Sequence, residues 1–221
     1  IEAALAASLD DRRFVEDAAS ISLALWSGAP LPVRDAAVAA AKAAGDALRG
    51  RLGHYLGGTL HYGGEWYWGL DRLHYLEERL ARLGARRAAA PEASIYTQPH
   101  TPLPEARPGA EGELHYYLSF RSPYTWIAAE RAKALADAYR LTLKLRFVLP
   151  MVMRGLPVPA AKRNYILLDA ALEARRAGVP FGRVCDPLGR PVERGYSLLP
   201  WAISEGKGYA YCAAFMRAVW S

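Results

Sequence analysis

Ser122 is the residue whose type and setting best fit chemistry. It stands in Ser119–Trp126, SFRSPYTW, at the junction of a strand-like run and a helix-like run. A serine hydroxyl at a helix N-terminus sits among free backbone N–H groups and the positive end of the dipole. It can donate to and stabilise an anion such as a thiolate. That role is electrostatic, not nucleophilic; the plain alternative is an ordinary N-cap. Arg121 beside it can attract a carboxylate or sit as a surface arginine. Tyr124 and Trp126 flank the turn as core residues or as walls for an aromatic ligand. Further on, Lys162 offers a cation for an anionic group or a solvated helix-face lysine. Tyr165 and Asp169, four apart, share a helix face and suit a structural hydrogen bond.

Other chemistries lack their residues. The histidines have no metal-ligand spacing: His54 and His61 lie seven apart, and His74 is on a helix without a partner. There is no G-x-S-x-G, P-loop, zinc-finger or RNP pattern.

The elements that must position Ser122 are legible. Leu114, Tyr116, Leu118 and Phe120 alternate with His115, Tyr117 and Ser119, which predicts a buried strand. Pro123 suits the first helical position, and a helix carrying Ile127, Ala132, Leu135 and Tyr139 follows. Leu141–Leu149 alternates again, so the three elements read as a βαβ unit with parallel strands. Ligands of such units gather at the carboxyl ends of the strands, where Ser122 falls.

Upstream, Thr59–Tyr62 and Glu65–Trp68 read as a hairpin turning at Gly63-Gly64, followed by a helix from about Leu70 to Leu83 with Asp71 as its cap. Before the hairpin lie two alanine-rich helical stretches split at Trp26–Val33, the second a helix over Arg34–Arg49. After the βαβ unit come helices over Ala160–Ala177, Leu198–Glu205 and Tyr209–Trp220, with a turn-rich excursion at Pro187–Pro191. Residues 85–112 are proline-rich without an apolar period and read as an exposed linker. Ile1–Ser27 lies on Gly195–Ser221 at an offset of 194, with Trp26/Trp220 and Ser27/Ser221 coinciding. This reads as a tandem duplication sampled from the middle of one copy to the middle of the next. Three segments result: 1–84, the linker 85–112, and 113–221. The two halves either close into one sheet or each belong to an incomplete domain, and open edges would then favour a homodimer.

The 221 residues are 52% hydrophobic and 23% charged, with a net charge of +6 from scattered arginines. That favours small anionic ligands over nucleic acid, and no apolar run reaches membrane-spanning length. Cys185 and Cys212 read as free thiols of a cytoplasmic protein, a disulfide between them being the alternative. Ile1 opens inside a helix-like segment without a signal-peptide pattern, which reads as a fragment.

SFRSPYTW resembles the active-site turn of the thioredoxin-fold DsbA superfamily. More narrowly, it is similar to the branch of 2-hydroxychromene-2-carboxylate isomerase and kappa-class glutathione transferase, where Ser-Pro-Tyr replaces Cys-x-x-Cys. Leu149-Pro150, the Lys162/Tyr165/Asp169 spacing, Gly178–Phe181 and Gly69–Leu73 (GLDRL) match as well. The resemblance implies an α/β thioredoxin-like fold with a helical insertion, here in permuted order: second half, linker, first half. It implies glutathione-dependent isomerisation or transfer on a small aromatic or conjugated substrate, with no metal. In that reading Ser122 holds the glutathione sulfur, Lys162 and Arg121 bind anionic groups, Gly58 and Thr59 border the cofactor, and Tyr124 and Trp126 contact substrate. Gly58 stands where the family has a cis-proline, and Leu172 where it often has arginine. Two other readings remain. One is a thiol–disulfide oxidoreductase relative, with Ser122 and Thr125 in place of the cysteines. The other is a degenerate binding or assembly domain, which Gly58 and Leu172 favour.

Overall fold

The computed structural model describes residues 35–97 and 112–221. The alanine-rich segment before residue 35, the Trp26–Val33 loop, the Ile1–Ser27 half of the internal repeat and residues 98–111 of the linker lie outside the described residues. The fold is mixed α/β, with six α-helices and two two-stranded sheets among these residues. Two compact units divide between Gly57 and Gly58.

In the first unit, α1 (Asp35–Leu52) is an alanine-rich helix carrying Asp46 between Lys42 and Arg49, at 3.1 and 2.8 Å. It stops where Gly53 enters the left-handed region at φ 86.

The second unit opens with the hairpin β1 (Thr59–Tyr62) and β2 (Glu65–Trp68), paired antiparallel with Tyr62 opposite Glu65. Gly63 and Gly64 both have positive φ, 54 and 83, the demand of a two-residue primed turn. Helix α2 (Leu73–Arg82) clips this hairpin through Arg79, whose guanidinium donates to the Tyr62 and Gly63 carbonyls at 2.9 and 3.1 Å. The expected helix from Leu70 begins instead as a 3₁₀ turn, Leu70–Arg72. Asp71 does not cap it: no side chain caps either helical piece, and Asp71 pairs with Arg72 at 2.7 Å. Residues 85–97 carry no helix or strand and are mostly exposed.

Strand β3 (Glu113–Leu118) pairs in parallel with β4 (Thr142–Phe147), in register from Glu113↔Thr142 to Leu118↔Phe147. Helix α3 (Pro123–Ala138) connects them. The strand expected to be buried is covered on one face only. Leu114, Tyr116 and Leu118 turn inward, while Glu113, His115 and Tyr117 are exposed and Glu113 meets Lys144 at 3.0 Å. Among the described residues no strand of the hairpin pairs with β3 or β4, so the halves do not close into one sheet.

A polar series joins them, beside an edge contact of Trp68 with Tyr165. Arg72, Tyr75 and Glu78 meet Asp169, Glu173 and Arg176 of α4 (Ala160–Ala177) in turn. The separations of 97, 98 and 98 residues are nearly constant, which means that the two helices run side by side in the same direction.

Helix α4 ends as expected at Gly178, φ 68, with the Val179 N–H closing on the Ala174 carbonyl. Helix α5 (Arg190–Ser204) begins eight residues before the expected Leu198, and α6 (Gly208–Trp220) ends the chain. Pro191 lies in the first turn of α5 rather than in a loop, and Pro200 is accommodated inside the helix. Gly195 is helical because it is wedged: a Cβ there would lie 2.7 Å from the Phe215 ring and 3.0 Å from Phe120. Packing thus overrides the helix-breaking signals of Gly195 and Pro200. The core gathers Leu118, Phe120, Trp126, Tyr196, Met216 and Trp220 at the carboxyl end of the parallel strands. Both cysteines are free thiols, Cys185 exposed and Cys212 buried. No described helix is long and apolar enough to cross a membrane.

Candidate functional site

The turn after β3 is built from local signals. The Ser122 N–H donates to the Ser119 carbonyl at 2.9 Å, closing the turn. Ser122 itself has extended backbone (φ −108, ψ 114), and its Oγ accepts the Thr125 N–H at 3.3 Å, making it the N-cap of α3. Pro123 opens the helix, where its missing N–H has no consequence.

Packing then fixes the turn from below. The Phe120 N–H donates to the Tyr196 hydroxyl at 3.0 Å, and that hydroxyl donates to the Val148 carbonyl at 3.0 Å. One buried phenol therefore ties the turn to the end of β4, and burial raises its pKa. Tyr196→Phe leaves the Phe120 N–H and the Val148 carbonyl without this partner. The expected cost is about 1–3 kcal/mol in urea-induced unfolding, since a buried group loses its hydrogen bond; a cost near zero would show that the phenol anchors nothing.

Above the turn lies a cavity of about 510 Å³. Its floor and near wall are Ser119, Arg121, Ser122, Tyr124 and Thr125. Val148–Met151 and Arg154, with Val158, Arg163, Ile166 and Leu167, line it as well, and Val184, Asp186 and Trp220 complete the lining. Arg121 spans it to Asp186 in a two-point pair at 2.7 and 2.7 Å. The Asp186 carboxyl is held below its ordinary pKa by that guanidinium, against the opposing effect of burial. Tyr124 lines the cavity and donates its hydroxyl to Asp169 at 2.6 Å. Burial first, and the Asp169 carboxylate second, raise its pKa strongly. Tyr165 donates to the same carboxylate at 3.1 Å, the hydrogen bond its spacing suggested.

The other residues singled out from sequence fall elsewhere. Trp126 is 7% exposed in the core, its indole donating to the Pro180 carbonyl at 2.8 Å. The Lys162 ammonium lies 3.6 Å from the Met151 sulfur. Gly58 has φ 68 and its carbonyl accepts the Gly69 N–H, while Thr59 opens β1 opposite Trp68. None of these four lines the cavity. Conversely, Arg154, Arg163 and Asp186 do line it. None of the three is singled out by the sequence, although Arg163 adjoins Lys162 and Asp186 adjoins Cys185, because no spacing relates them to Ser122. No group of His, Cys, Asp and Glu fit to hold a metal occurs among the described residues.

No protein-family profile matches the chain, and no curated protein matches it. Among solved structures it is similar to 2-hydroxychromene-2-carboxylate isomerase (HCCA isomerase). The TM-score is 0.40 and the identity 23%, over 49% of this chain and 56% of that one. The chain thus spans little more than half the length of that protein.

Proposed function

We propose that the chain is a glutathione-dependent isomerase or transferase of the 2-hydroxychromene-2-carboxylate isomerase type, with Ser122 stabilising the glutathione thiolate. The observation that carries the reading is the opening of the Ser122 side chain, as N-cap of a 16-residue helix, onto a cavity at the carboxyl ends of two parallel strands. Bound glutathione would supply a soft sulfur nucleophile for a small conjugated or aromatic substrate. The residues present fit its sulfur. Ser122 Oγ accepts the Thr125 N–H, which leaves the hydroxyl proton free to be donated. In the first turn of α3 the Tyr124 N–H has no helical acceptor, and the helix dipole favours negative charge there. Arg121, also in the lining, is held beside Ser122 by its pair with Asp186. Tyr124 with the apolar lining residues Val148, Leu149, Ile166 and Leu167 would receive the substrate body.

Thiol chemistry by Cys212 finds little support. Cys212 is 1% exposed and burial pushes its thiol up to about 12. A binding domain without catalysis is the second reading, favoured by the placement of Gly58, Thr59 and Lys162 outside the cavity lining.

The test is titration of glutathione bound to the protein, followed by thiolate absorbance in the ultraviolet. Bound thiol is expected to ionise well below the ordinary thiol value of about 8.5. In Ser122→Ala the midpoint is expected to return by about 1–2 units, the worth of one aligned donor in a site of this kind. An unshifted midpoint in the parent protein, or one indifferent to Ser122, would sink the reading.

A further inference from the structure

Helix α2 buries a histidine that its packing does not satisfy. His74 is 3% exposed, and its Nε2 has no hydrogen-bond partner among the described residues. A neutral imidazole tolerates such a place, since a bare ring nitrogen carries no full charge. An imidazolium does not: both its nitrogens must donate, and its charge must be solvated or paired.

The surrounding charges offer no pairing. Glu78 of the same helix and Arg72 of the preceding 3₁₀ turn act on His74, as do Glu173 and Arg176 from α4. Two cations thus stand against two carboxylates, and both carboxylates are engaged. Glu78 pairs with Arg176 at 3.1 Å, while Glu173 accepts the Tyr75 hydroxyl at 2.9 Å and lies 3.4 Å from Arg72. In the hairpin, Glu65 and Tyr67 are taken up by Arg79 at 2.9 and 3.2 Å. Burial first, and Arg176 second, hold His74 below its ordinary value of 6.5. The same neighbours fasten α2 to α4, through Arg72–Asp169, Tyr75–Glu173 and Glu78–Arg176. A charge on His74 therefore arises among the links themselves.

We propose that His74 is an acid-sensitive latch, whose protonation releases α2 and the β1–β2 hairpin from α4. Release separates Arg72 from Asp169, the carboxylate that holds the Tyr124 hydroxyl at the cavity, so mild acid loosens that wall as well. The docked histidine is neutral and the detached one titrates near 6.5. Docking is therefore at full strength above that value and weakens as the pH falls through it. The latch depends on neither glutathione nor Ser122.

Hydrogen exchange of the intact chain tests this, read by mass spectrometry at pH about 7.5 and about 5.5 and corrected for the intrinsic effect of pH. Exchange of residues 59–82 is expected to accelerate about tenfold over that range, because only the detached form takes up the proton, while Pro123–Ala138 stays unchanged. His74→Gln and His74→Leu should both abolish the acceleration, and His61→Gln, on the exposed part of β1, should keep it. Exchange of residues 59–82 that ignores pH, equal acceleration in Pro123–Ala138, or acceleration that survives the loss of His74 or vanishes with His61 overturns the proposal. The first two outcomes need no variant, so they decide the matter even where a substitution disturbs folding. Glutathione thiolate absorbance reads the Ser122 proposal separately, so either can fail while the other stands.

Discussion

Asp169→Ala is expected to destabilise the protein by about 3 kcal/mol, the low end of what breaking a buried ion pair costs. Asp169 is 3% exposed and accepts four hydrogen bonds: Arg72 at 2.7 and 3.1 Å, Tyr124 at 2.6 Å and Tyr165 at 3.1 Å. Burial alone would depress the ionisation of Arg72, yet the hydrogen bond and charge of Asp169 raise its pKa above the ordinary value. Removing the carboxylate strands a guanidinium whose side chain is only 16% exposed, along with two phenols. Glu173 at 3.4 Å and Asp71 at 2.7 Å remain near Arg72, which is why the low end applies. Arg72→Ala should cost a similar amount, since it leaves Asp169 buried without its cation. The double variant is expected to fall short of the sum by at least about 1 kcal/mol, because the second removal no longer orphans a charge. Urea-induced unfolding of the four proteins measures this. Strict additivity would mean that the pair does not hold the α2–hairpin segment to α4.

That pair also marks the boundary of what the sequence could show. The βαβ unit, the Ser122 cap and the Gly63-Gly64 turn were legible because each is decided within a few residues. Alternation, a proline at the first helical position and two residues at positive φ need no distant partner. The Tyr165–Asp169 contact was legible for the same reason, being one helical turn long. Arg72 meeting Asp169 across 97 residues was not, and neither was the gathering of Arg154, Arg163 and Asp186 around Ser122. Those depend on how α2, α4 and the Pro180–Gly189 loop pack, which periodicity does not encode. Helix α5 shows the converse. Gly195 and Pro200 carry local breaking signals, but Val192, Tyr196 and Leu199 bury one stripe, and the core rewards the helix more than these residues penalise it. Asp71 failed as a cap because the 3₁₀ turn starts at Leu70 with Gly69 at its N-cap, which places Asp71 inside the turn, where it pairs with Arg72.

Phe120→Ala is the substitution expected to cost most, about 3–5 kcal/mol, the range for deleting a buried aromatic ring. Phe120 is fully buried and lies between two rings, Phe215 at 4.1 Å and Tyr196 at 4.6 Å, both nearly parallel to it. Gly195 approaches its edge and has no side chain with which to fill the vacated space. The contrast with Tyr196→Phe separates two ways of holding the Ser119–Ser122 turn. Phe120→Ala removes packing but retains the backbone hydrogen bond from residue 120 to the Tyr196 hydroxyl; Tyr196→Phe removes that bond and retains the stacked rings. If hydrogen bonding positions Ser122, Tyr196→Phe should move the midpoint of bound glutathione more, despite its smaller cost in stability. If packing positions it, the two rankings should agree. Urea-induced unfolding and thiolate titration on both variants give the two rankings. A Phe120→Ala protein as stable as its parent would show that the stacked rings are not the core on which the turn rests.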